Sequence, residues 1–408
     1  MSWTTMWFEE LYAEPSRNGV YKSKEYQGTG TPVVKMNQIF ANQKIHAGDF
    51  ELDRFQLTSD ELRTFHLQTD DLIFARTSVV PNGVGKCSLI CTLEDDLAFE
   101  SNLIRVRLNK IKANPAYVFY FFQSPVGRGR ILSISNGTAV RTIRGSDLKV
   151  VKIDLPERKT QDLIASILSA YDDLIENNRR RIALLEQAAR LVYREWFVHL
   201  RFPGHEHVRM MDGVPEGWEW VPISSFCTVG RGGSPRPIKN FLDGTVPWYK
   251  IGDATASESP FVFCTAEKIV EDGIRKSVLL HPQELILSNS ATCGIPCFTG
   301  IMGCIHDGWL YFKNLKRLSK WFLYCCLYAK QRAILAGIGE GATQKNLNTD
   351  YIGRQEVLLP VSPALLDHFN SVVEPIFGQI FTLTQENLQL RKARDLILPR
   401  LMNGEVAV

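Results

Sequence analysis

The chain has 408 residues, 45% hydrophobic and 22% charged, which is typical of a folded protein with two or three domains. Its first residues lack a basic segment and its apolar stretches are too short to cross a bilayer, so we expect a cytoplasmic protein. The formal net charge of +3 excludes little, because a nucleic-acid-binding protein can cluster its basic residues on one face.

The first predicted domain, residues 1–157, mixes short strands, turns and helices. Buried strands are predicted at 33–36 and 71–75, because both stretches are apolar and suited to a sheet. Glycine and proline mark a turn at 81–85, and 114–123 has the pattern of a helix. We therefore expect a small α/β domain with an irregular sheet.

A long helix is predicted to follow over 158–199. From Ile164 to Trp196 its apolar positions alternate in steps of four and three, which is the heptad repeat of a coiled coil. Asn178 occupies a core position of this heptad, where a polar residue fixes register at some cost in stability. A polar linker is expected at 200–216.

The second half repeats this plan, with a mixed domain at 217–361 and a helix in the segment 362–408. A buried strand is predicted at 248–251 and a helix at 320–332. In the last helix, Pro375 is expected to break or kink the first turns, so that the long part runs over 376–398. Asn387 is the core asparagine of this second helix.

The two halves align with each other in order, at a constant offset over much of their length. This indicates one duplicated unit of a mixed domain followed by a long helix. The matching segments are Tyr117-Val-Phe-Tyr-Phe-Phe with Trp321-Phe-Leu-Tyr-Cys-Cys, Gly137 to Ile143 with Gly341 to Leu347, Ile153-Asp-Leu-Pro156 with Val357-Leu-Leu-Pro360, and Ala189-Arg190 with Ala393-Arg394.

Two heptad helices in one chain are expected to pair as a coiled coil. Packing through the same helix in both copies favours a pseudo-twofold axis and hence an antiparallel pair. A helix of 22 to 28 residues is roughly 33–42 Å long. Since one turn of B-DNA is about 34 Å, the pair could act as a ruler between two DNA-binding domains. The alternative is that each helix packs only on its own domain.

Motifs for known chemistry are absent from the sequence. The chain has no Pro-Pro dipeptide, which argues against an amino-methyltransferase loop, and no proline followed by aspartate, which argues against a common nuclease motif. The stretch 83–87 lacks the first glycine and the hydroxyl residue of a phosphate-binding loop. No cofactor is expected. Four residues close in sequence could together bind zinc, and the alternative is that the cysteines are ordinary buried thiols. They are Cys293, Cys297, Cys304 and His306.

Basic and amide side chains recur at matching places in both halves, among glycines. Arginine and lysine suit guanine edges and phosphates, and asparagine and glutamine suit adenine edges, so we predict contact with double-stranded DNA. The alternative is an ordinary solvated surface. The candidate DNA-binding residues are Lys35, Arg76, Ser78, Arg141, Arg144, Arg231, Lys250, Asn289, Ser290, Gln344, Lys345 and Asn346.

Several segments of the chain match a known family: Gly217-Trp-Glu-Trp-Val-Pro, Gly230-Arg-Gly-Gly-Ser-Pro, Val246 to Asp253, Gly341 to Leu347, Leu358-Leu-Pro360, and the helix endings Leu191 to Phe197 and Arg394 to Gly404. In these segments the chain resembles the specificity subunits of type I restriction–modification systems. The resemblance covers nearly the whole length. The first copy departs from it, because its opening at 7–15 lacks the Gly-Trp-x-Trp of the second copy.

The resemblance implies two target-recognition domains, each recognising one half of a bipartite DNA site. It also implies helices that space these domains and dock two modification subunits, with restriction subunits joining the complex. Methylation, ATP hydrolysis and cleavage would then belong to the partners, and this chain would not be an enzyme. The alternatives are a methyltransferase or nuclease with unrecognised motifs, and a coiled-coil assembly scaffold.

Overall fold

The chain folds into two compact units in the computed structural model. Unit 1 is Met1–Leu174 with Leu390–Val408, and unit 2 is Ile175–Gln389. The structure describes residues 3–408 except 47, 49–50, 81, 94–95, 138, 338–346 and 407. In that part of the chain, no helix has the length and apolar character needed to span a membrane.

Unit 1 contains short strands, five short helices and segments of the two long helices. Its strands are β1 (Thr4–Trp7), β2 (Arg17–Asn18), β3 (Gln27–Val34), β4 (Lys44–His46), β5 (Asp53–Phe55), β6 (Leu72–Ala75), β7 (Thr77–Ser78), β8 (Cys87–Thr92), β9 (Ala98–Phe99), β10 (Leu103–Val106), β11 (Arg141–Thr142) and β12 (Lys152–Leu155). The helices are α1 (Met36–Ala41), α2 (Ser59–Phe65), α3 (Pro115–Gln123), α4 (Pro125–Ile134), α5 (Gly145–Lys149) and α6 (Arg158–Tyr193), of which α6 continues into unit 2.

Unit 2 follows the same plan. Its strands are β13 (Met210–Met211), β14 (Val214–Pro215), β15 (Trp218–Pro222), β16 (Thr228–Arg231), β17 (Leu242–Tyr249), β18 (Phe261–Val262), β19 (Glu267–Ile269), β20 (Val278–Leu280), β21 (Leu285–Ser288), β22 (Pro296–Thr299), β23 (Gly303–Ile305), β24 (Trp309–Lys313) and β25 (Glu356–Pro360). The helices are α7 (Ile251–Thr255), α8 (Lys320–Ala336), α9 (Thr349–Gly353) and α10 (Ala364–Met402), whose last turns belong to unit 1.

The main sheets of the two units have the same topology, and the second sheet has three strands in unit 1 and four in unit 2. The main sheet has the order β2-β10-β6-β8-β4 in unit 1 and β16-β24-β21-β22-β18 in unit 2. In both, three pairings are antiparallel and the last, β4 with β8 or β18 with β22, is parallel. The long strands β3 and β17 each carry a bulge and have one antiparallel and one parallel neighbour. The backbone therefore repeats as the sequence alignment predicts.

The buried strands lie where the apolar runs predict them, but two end earlier. All four residues of β6 and of β21 are buried, as expected for central strands. The strands predicted at 33–36 and 248–251 stop at Val34 and Tyr249, because the next residues begin helices. Both helix starts are capped in the same way. The backbone N–H of Lys35 donates to Gln38 Oε1 at the start of α1, and the backbone N–H of Lys250 donates to an Asp253 carboxylate oxygen at the start of α7.

The first long helix lies where it is predicted, and the second is longer than predicted. Helix α6 has 36 residues and ends in a π-helical turn at Arg194–Val198, close to the predicted end at residue 199. Helix α10 has 39 residues and extends beyond the predicted 376–398 at both ends. The predicted break at Pro375 is wrong, because α10 runs through this position without interruption. Pro375 is exposed, so water can satisfy the carbonyl group that loses its N–H partner at the proline.

Within unit 2 the two long helices pair in an antiparallel orientation, as predicted. The Asn178 side-chain amide donates to Asn387 Oδ1 at 3.1 Å, and the Asn387 amide donates to the Ile175 carbonyl at 3.1 Å. Fifteen residues further along α6, the ring of Tyr193 lies 6.2 Å from that of Phe369, near the start of α10. Later residues of α6 therefore contact earlier residues of α10, which is the arrangement of an antiparallel pair.

The opening of the first copy is more regular than the sequence indicates. In β1, Thr4 pairs with Leu155, and in β15, Glu219 pairs with the matching Leu359. Trp3 therefore occupies the place that Trp218 has in unit 2. The first tryptophan of the Gly-Trp-x-Trp opening has a counterpart, which a comparison starting at residue 7 misses.

Candidate nucleic-acid interface

Four of the candidate residues of unit 1 lie on two adjoining segments. Strands β7 and β11 pair in an antiparallel manner with Ser78 opposite Arg141. The backbone N–H of Ile143 donates to the carbonyl of Arg76 at 2.9 Å, which places the segments 76–78 and 141–144 side by side. The structure therefore brings Arg76, Ser78, Arg141 and Arg144 together, although more than sixty residues separate them in the chain.

The arginines of this cluster keep their charge available. Arg144 is exposed, and its backbone N–H, not its guanidinium, binds the Asp147 carboxylate. Among the described residues, the guanidinium groups of Arg76, Arg141 and Arg144 make no ion pair. Such groups suit phosphates or guanine edges. Ser78 differs, because it is buried and its hydroxyl bonds the backbone of residue 80.

The candidates of unit 2 meet around one carbonyl group. The side-chain amide of Asn289 donates to the Asp307 carbonyl at 3.1 Å, and Arg231 Nε donates to the same oxygen at 2.8 Å. Ser290 is adjacent to Asn289 and partly exposed. The backbone N–H of Leu347 donates to the Asn289 carbonyl at 2.9 Å. This bond matches the one from Ile143 to the Arg76 carbonyl in unit 1. Asn289 is buried, so it shapes the site from beneath.

The last three candidates, Gln344, Lys345 and Asn346, lie outside the described residues. Nothing in the structure bears on their assignment, which stays a prediction.

Lys35 and Lys250 occupy matching positions and make matching ion pairs. Lys35 Nζ lies 2.9 Å from an Asp53 carboxylate oxygen, on the strand beside β3. Lys250 pairs with Glu267, on the strand beside β17. Each ammonium also lies about 5 Å from the centre of an aromatic ring, 5.2 Å for Phe55 and 5.0 Å for Trp248. A carboxylate already faces each lysine, so a phosphate would have to compete with it.

Two tyrosines that the sequence analysis does not single out attach the mixed domain to a long helix in each unit. Tyr120 on α3 donates to Asp172 on α6 at 2.6 Å, and Arg394 on α10 binds the same carboxylate at 2.6 Å. In unit 2, Tyr324 on α8 donates to Glu186 on α6 at 2.5 Å. Burial raises the pKa of both tyrosines, which keeps them protonated as donors. The sequence feature that could have identified these two tyrosines is that they align with each other in the repeat.

The three cysteines considered for a zinc site, Cys293, Cys297 and Cys304, are buried. The part of the chain that the structure describes contains no group of three or more histidine, cysteine or acidic residues placed to hold a metal ion. Burial raises the pKa of Cys297 and Cys304. His306 Nδ1 accepts the backbone N–H of Gly308 at 2.6 Å, which occupies one of its two ligating nitrogens.

Comparison with known proteins identifies relatives of one kind. The family described as type I restriction modification DNA specificity domain matches residues 9–187. The chain is 27% identical over 306 residues to the type I restriction enzyme MjaIX specificity subunit of Methanocaldococcus jannaschii, covering 72% of this chain and 69% of that one. It is 24% identical over 322 residues to the HindI specificity subunit of Haemophilus influenzae, covering 63% of this chain and 69% of that one.

A solved structure shares the fold over the whole chain. The S subunit of a type I restriction–modification system from M. genitalium covers 98% of this chain and 96% of its own, with a TM-score of 0.58 and 16% identity. The predicted fold class is thereby confirmed: an α/β (α+β) chain with two tandem domains of small irregular sheets and two long antiparallel helices.

Proposed function

Because this chain belongs to the family of type I restriction–modification specificity subunits, we propose that each of its mixed domains recognises one half of a split DNA site. The chain has a DNA sequence-specificity role and is not the catalytic component. The alternatives of an enzyme with unrecognised motifs and of a pure assembly scaffold are not favoured.

The observation that carries this proposal is the duplicated topology combined with different side chains at the matching site. Each unit sets corresponding loops beside the matching central strand, β6 or β21. On these loops unit 1 presents Arg76, Arg141 and Arg144, whereas unit 2 presents Ser290 beside the buried Asn289, and its Arg231 lies at the end of the edge strand β16. One scaffold with two different sets of hydrogen-bonding groups suits a DNA site whose halves differ in sequence.

The long helices are proposed to set the gap between the half-sites and to dock the modification subunits. At 1.5 Å per residue, 36 and 39 residues correspond to roughly 54 and 58 Å. Several leucines of α6 are exposed although they lie on a helix with a packed core face, among them Leu184 and Leu191 in unit 2. Exposed apolar side chains of this kind favour a protein partner. Two modification subunits, together with restriction subunits in the cytoplasm, complete the proposed assembly.

The testing experiment is co-expression of the chain with its modification subunit, followed by mapping of the methylated bases in genomic DNA. We expect one split motif, with two short defined halves around a fixed unspecified gap. A stable complex without methylation would count against the specificity role and favour a scaffold. Methylation by the chain alone, in the presence of S-adenosylmethionine, would favour an enzyme.

The ruler hypothesis needs its own variant. The Asn178–Asn387 contact joins the two helices, so one heptad should be added to α6 after Asn178 and one to α10 before Asn387. Both additions then lie on the same side of the contact. Seven residues add about 10 Å, or about three base pairs. The gap should lengthen while both half-sites stay the same. An unchanged gap would refute the ruler.

A further inference from the structure

The main difference between the two candidate interfaces is the loop after the central strand. In unit 1, Phe74 pairs with Cys87, so twelve residues, 75–86, connect the two. In unit 2, Leu287 pairs with Pro296, so only eight residues, 288–295, make the same connection. We call the described residues of this connection, 76–80 and 82–85, the extended loop. Since the two main sheets match strand for strand, this additional length belongs to the loop alone.

One arginine makes three hydrogen bonds to the backbone of the extended loop. The guanidinium of Arg128, on α4, donates to three loop carbonyls, those of Asn82 at 3.0 Å, Val84 at 3.0 Å and Gly85 at 2.9 Å. The aligned residue in unit 2, Arg332, is exposed. Three charge-assisted hydrogen bonds from a partly buried side chain fix the backbone of a surface loop.

Close packing adds to this restraint. A Cβ on Gly83 would lie 2.2 Å from Ser78 Oγ, so only glycine fits there. The ammonium group of Lys86, which follows the loop, donates to the Phe40 carbonyl at 2.6 Å. The loop also pairs with β11 through Ser78 and Arg141. Fixing the loop in this way removes the entropy cost of ordering it when a ligand binds.

The tip of this fixed loop is apolar. The side chains of Val79 and Val80 are 76% and 55% exposed. Arg141 and Arg144 lie on the adjoining segment, and the described residues place no ion-pair partner beside either. A protein partner with an apolar surface would not need these charges. A rigid apolar tip flanked by arginines matches duplex DNA, where an apolar group lies in the major groove between two charged backbones.

We propose that Val79 and Val80 recognise the C5-methyl group of a thymine in one half-site, and that Arg128 is the positioning residue for this contact. The thymine methyl is the apolar group that base pairs present in the major groove. The inference rests on the proposed function, since it requires a DNA half-site bound by unit 1. The shorter loop of unit 2 gives the other half-site no equivalent contact.

The test uses the complex of the full chain with its modification subunit and a duplex carrying the mapped motif. Each thymine of both half-sites is replaced in turn by deoxyuridine, which lacks only the methyl group. At one thymine, binding should weaken about fourfold, which corresponds to about 0.8 kcal/mol for one buried methyl group. The double substitution Val79→Ala and Val80→Ala should abolish this difference. Val150→Ala, an exposed valine of the same unit, should preserve it.

Arg128→Lys tests the positioning role. Lysine keeps the charge but cannot hold three carbonyls with the planar fork of arginine. We expect the thymine–uracil difference to disappear as in the valine variant, with the other half-site still discriminated normally. A purely structural role would instead lower the thermal midpoint and weaken binding to both bases equally, keeping their ratio.

The outcomes separate this inference from the proposed function. A split motif that is methylated normally but tolerates uracil at every position would overturn the valine contact and leave the specificity role intact. A uracil effect that persists in the valine double variant would also overturn it. The absence of any split motif would overturn the specificity role itself.

Discussion

Replacing one asparagine of the Asn178–Asn387 pair should destabilise the chain more than replacing both. The two side chains are 2% and 6% exposed, and they are joined by one hydrogen bond of 3.1 Å. In Asn387→Leu, the buried Asn178 amide keeps only a 3.5 Å contact with Glu386. A buried donor left unsatisfied costs about 1–3 kcal/mol, so we expect the free energy of unfolding to fall by about 2 kcal/mol.

The other single variant should be milder. In Asn178→Leu, the Asn387 amide still donates to the Ile175 carbonyl, and only its Oδ1 loses a partner, for an expected cost of about 1 kcal/mol. The double leucine variant removes both polar groups and joins two apolar side chains in the helix interface. It should be as stable as the wild type within about 1 kcal/mol, whereas the two single costs add up to about 3 kcal/mol, so the coupling between the two side chains is about 3 kcal/mol.

Urea denaturation followed by tryptophan fluorescence is the appropriate assay. Six of the eight tryptophans lie in residues 175–389, so the signal reports mainly on unit 2, which contains both asparagines. Asn177→Leu, an exposed position next to the pair, is the matched control and should change stability by less than about 0.5 kcal/mol. Additive effects of the two substitutions would refute the reasoning, because they would show that the amides do not interact.

Three further outcomes are expected. Arg394→Ala should cost about 3 kcal/mol, because it leaves the Asp172 carboxylate, 10% exposed, without its closest cation, and faster hydrogen exchange in the Asp172 segment of α6 would reveal this. Unchanged exchange would contradict it. Leu184→Glu with Leu191→Glu should prevent co-purification of the modification subunit while the helical circular dichroism stays unchanged; a complex that still forms would exclude this face. With iodoacetamide at pH 8, exposed Cys264 should be alkylated well before Cys91, since burial raises the pKa of Cys91 to about 11 and leaves little thiolate; equal labelling would contradict this.

Local patterns in the sequence predict much of this fold. The heptad spacing is a property of consecutive residues, and it identifies both long helices and the buried positions of Asn178 and Asn387. Pro375 led to an error because the rule for proline assumes that the freed carbonyl has no other partner. On the exposed face of α10 water can serve, and exposure is a property of the tertiary structure.

The candidate site could be predicted only in part. The repeat placed Arg76 and Arg141 on matching loops, but the sequence could not show that Ser78 faces inward or that Lys35 is paired with Asp53. Those contacts join residues on neighbouring strands or on opposite sides of a turn. Their partners are set by strand register, which no single stretch of sequence specifies.

The two tyrosine anchors show which parts of a duplicated recognition domain stay fixed and which can change. Tyr120 and Tyr324 align in the repeat, yet their acidic partners, Asp172 and Glu186, both lie on α6 and not at matching places of the two helices. Both units therefore keep a hydrogen bond from this tyrosine to a long helix, but the carboxylate that accepts it comes from a different position in each unit. Arg128 shows the opposite case, because its aligned arginine is kept in unit 2 but the loop that it would hold is shorter there. If each unit recognises one half-site as proposed, attachment to the helices must be retained to keep the half-sites in register, whereas each loop can change with the bases that its own domain recognises.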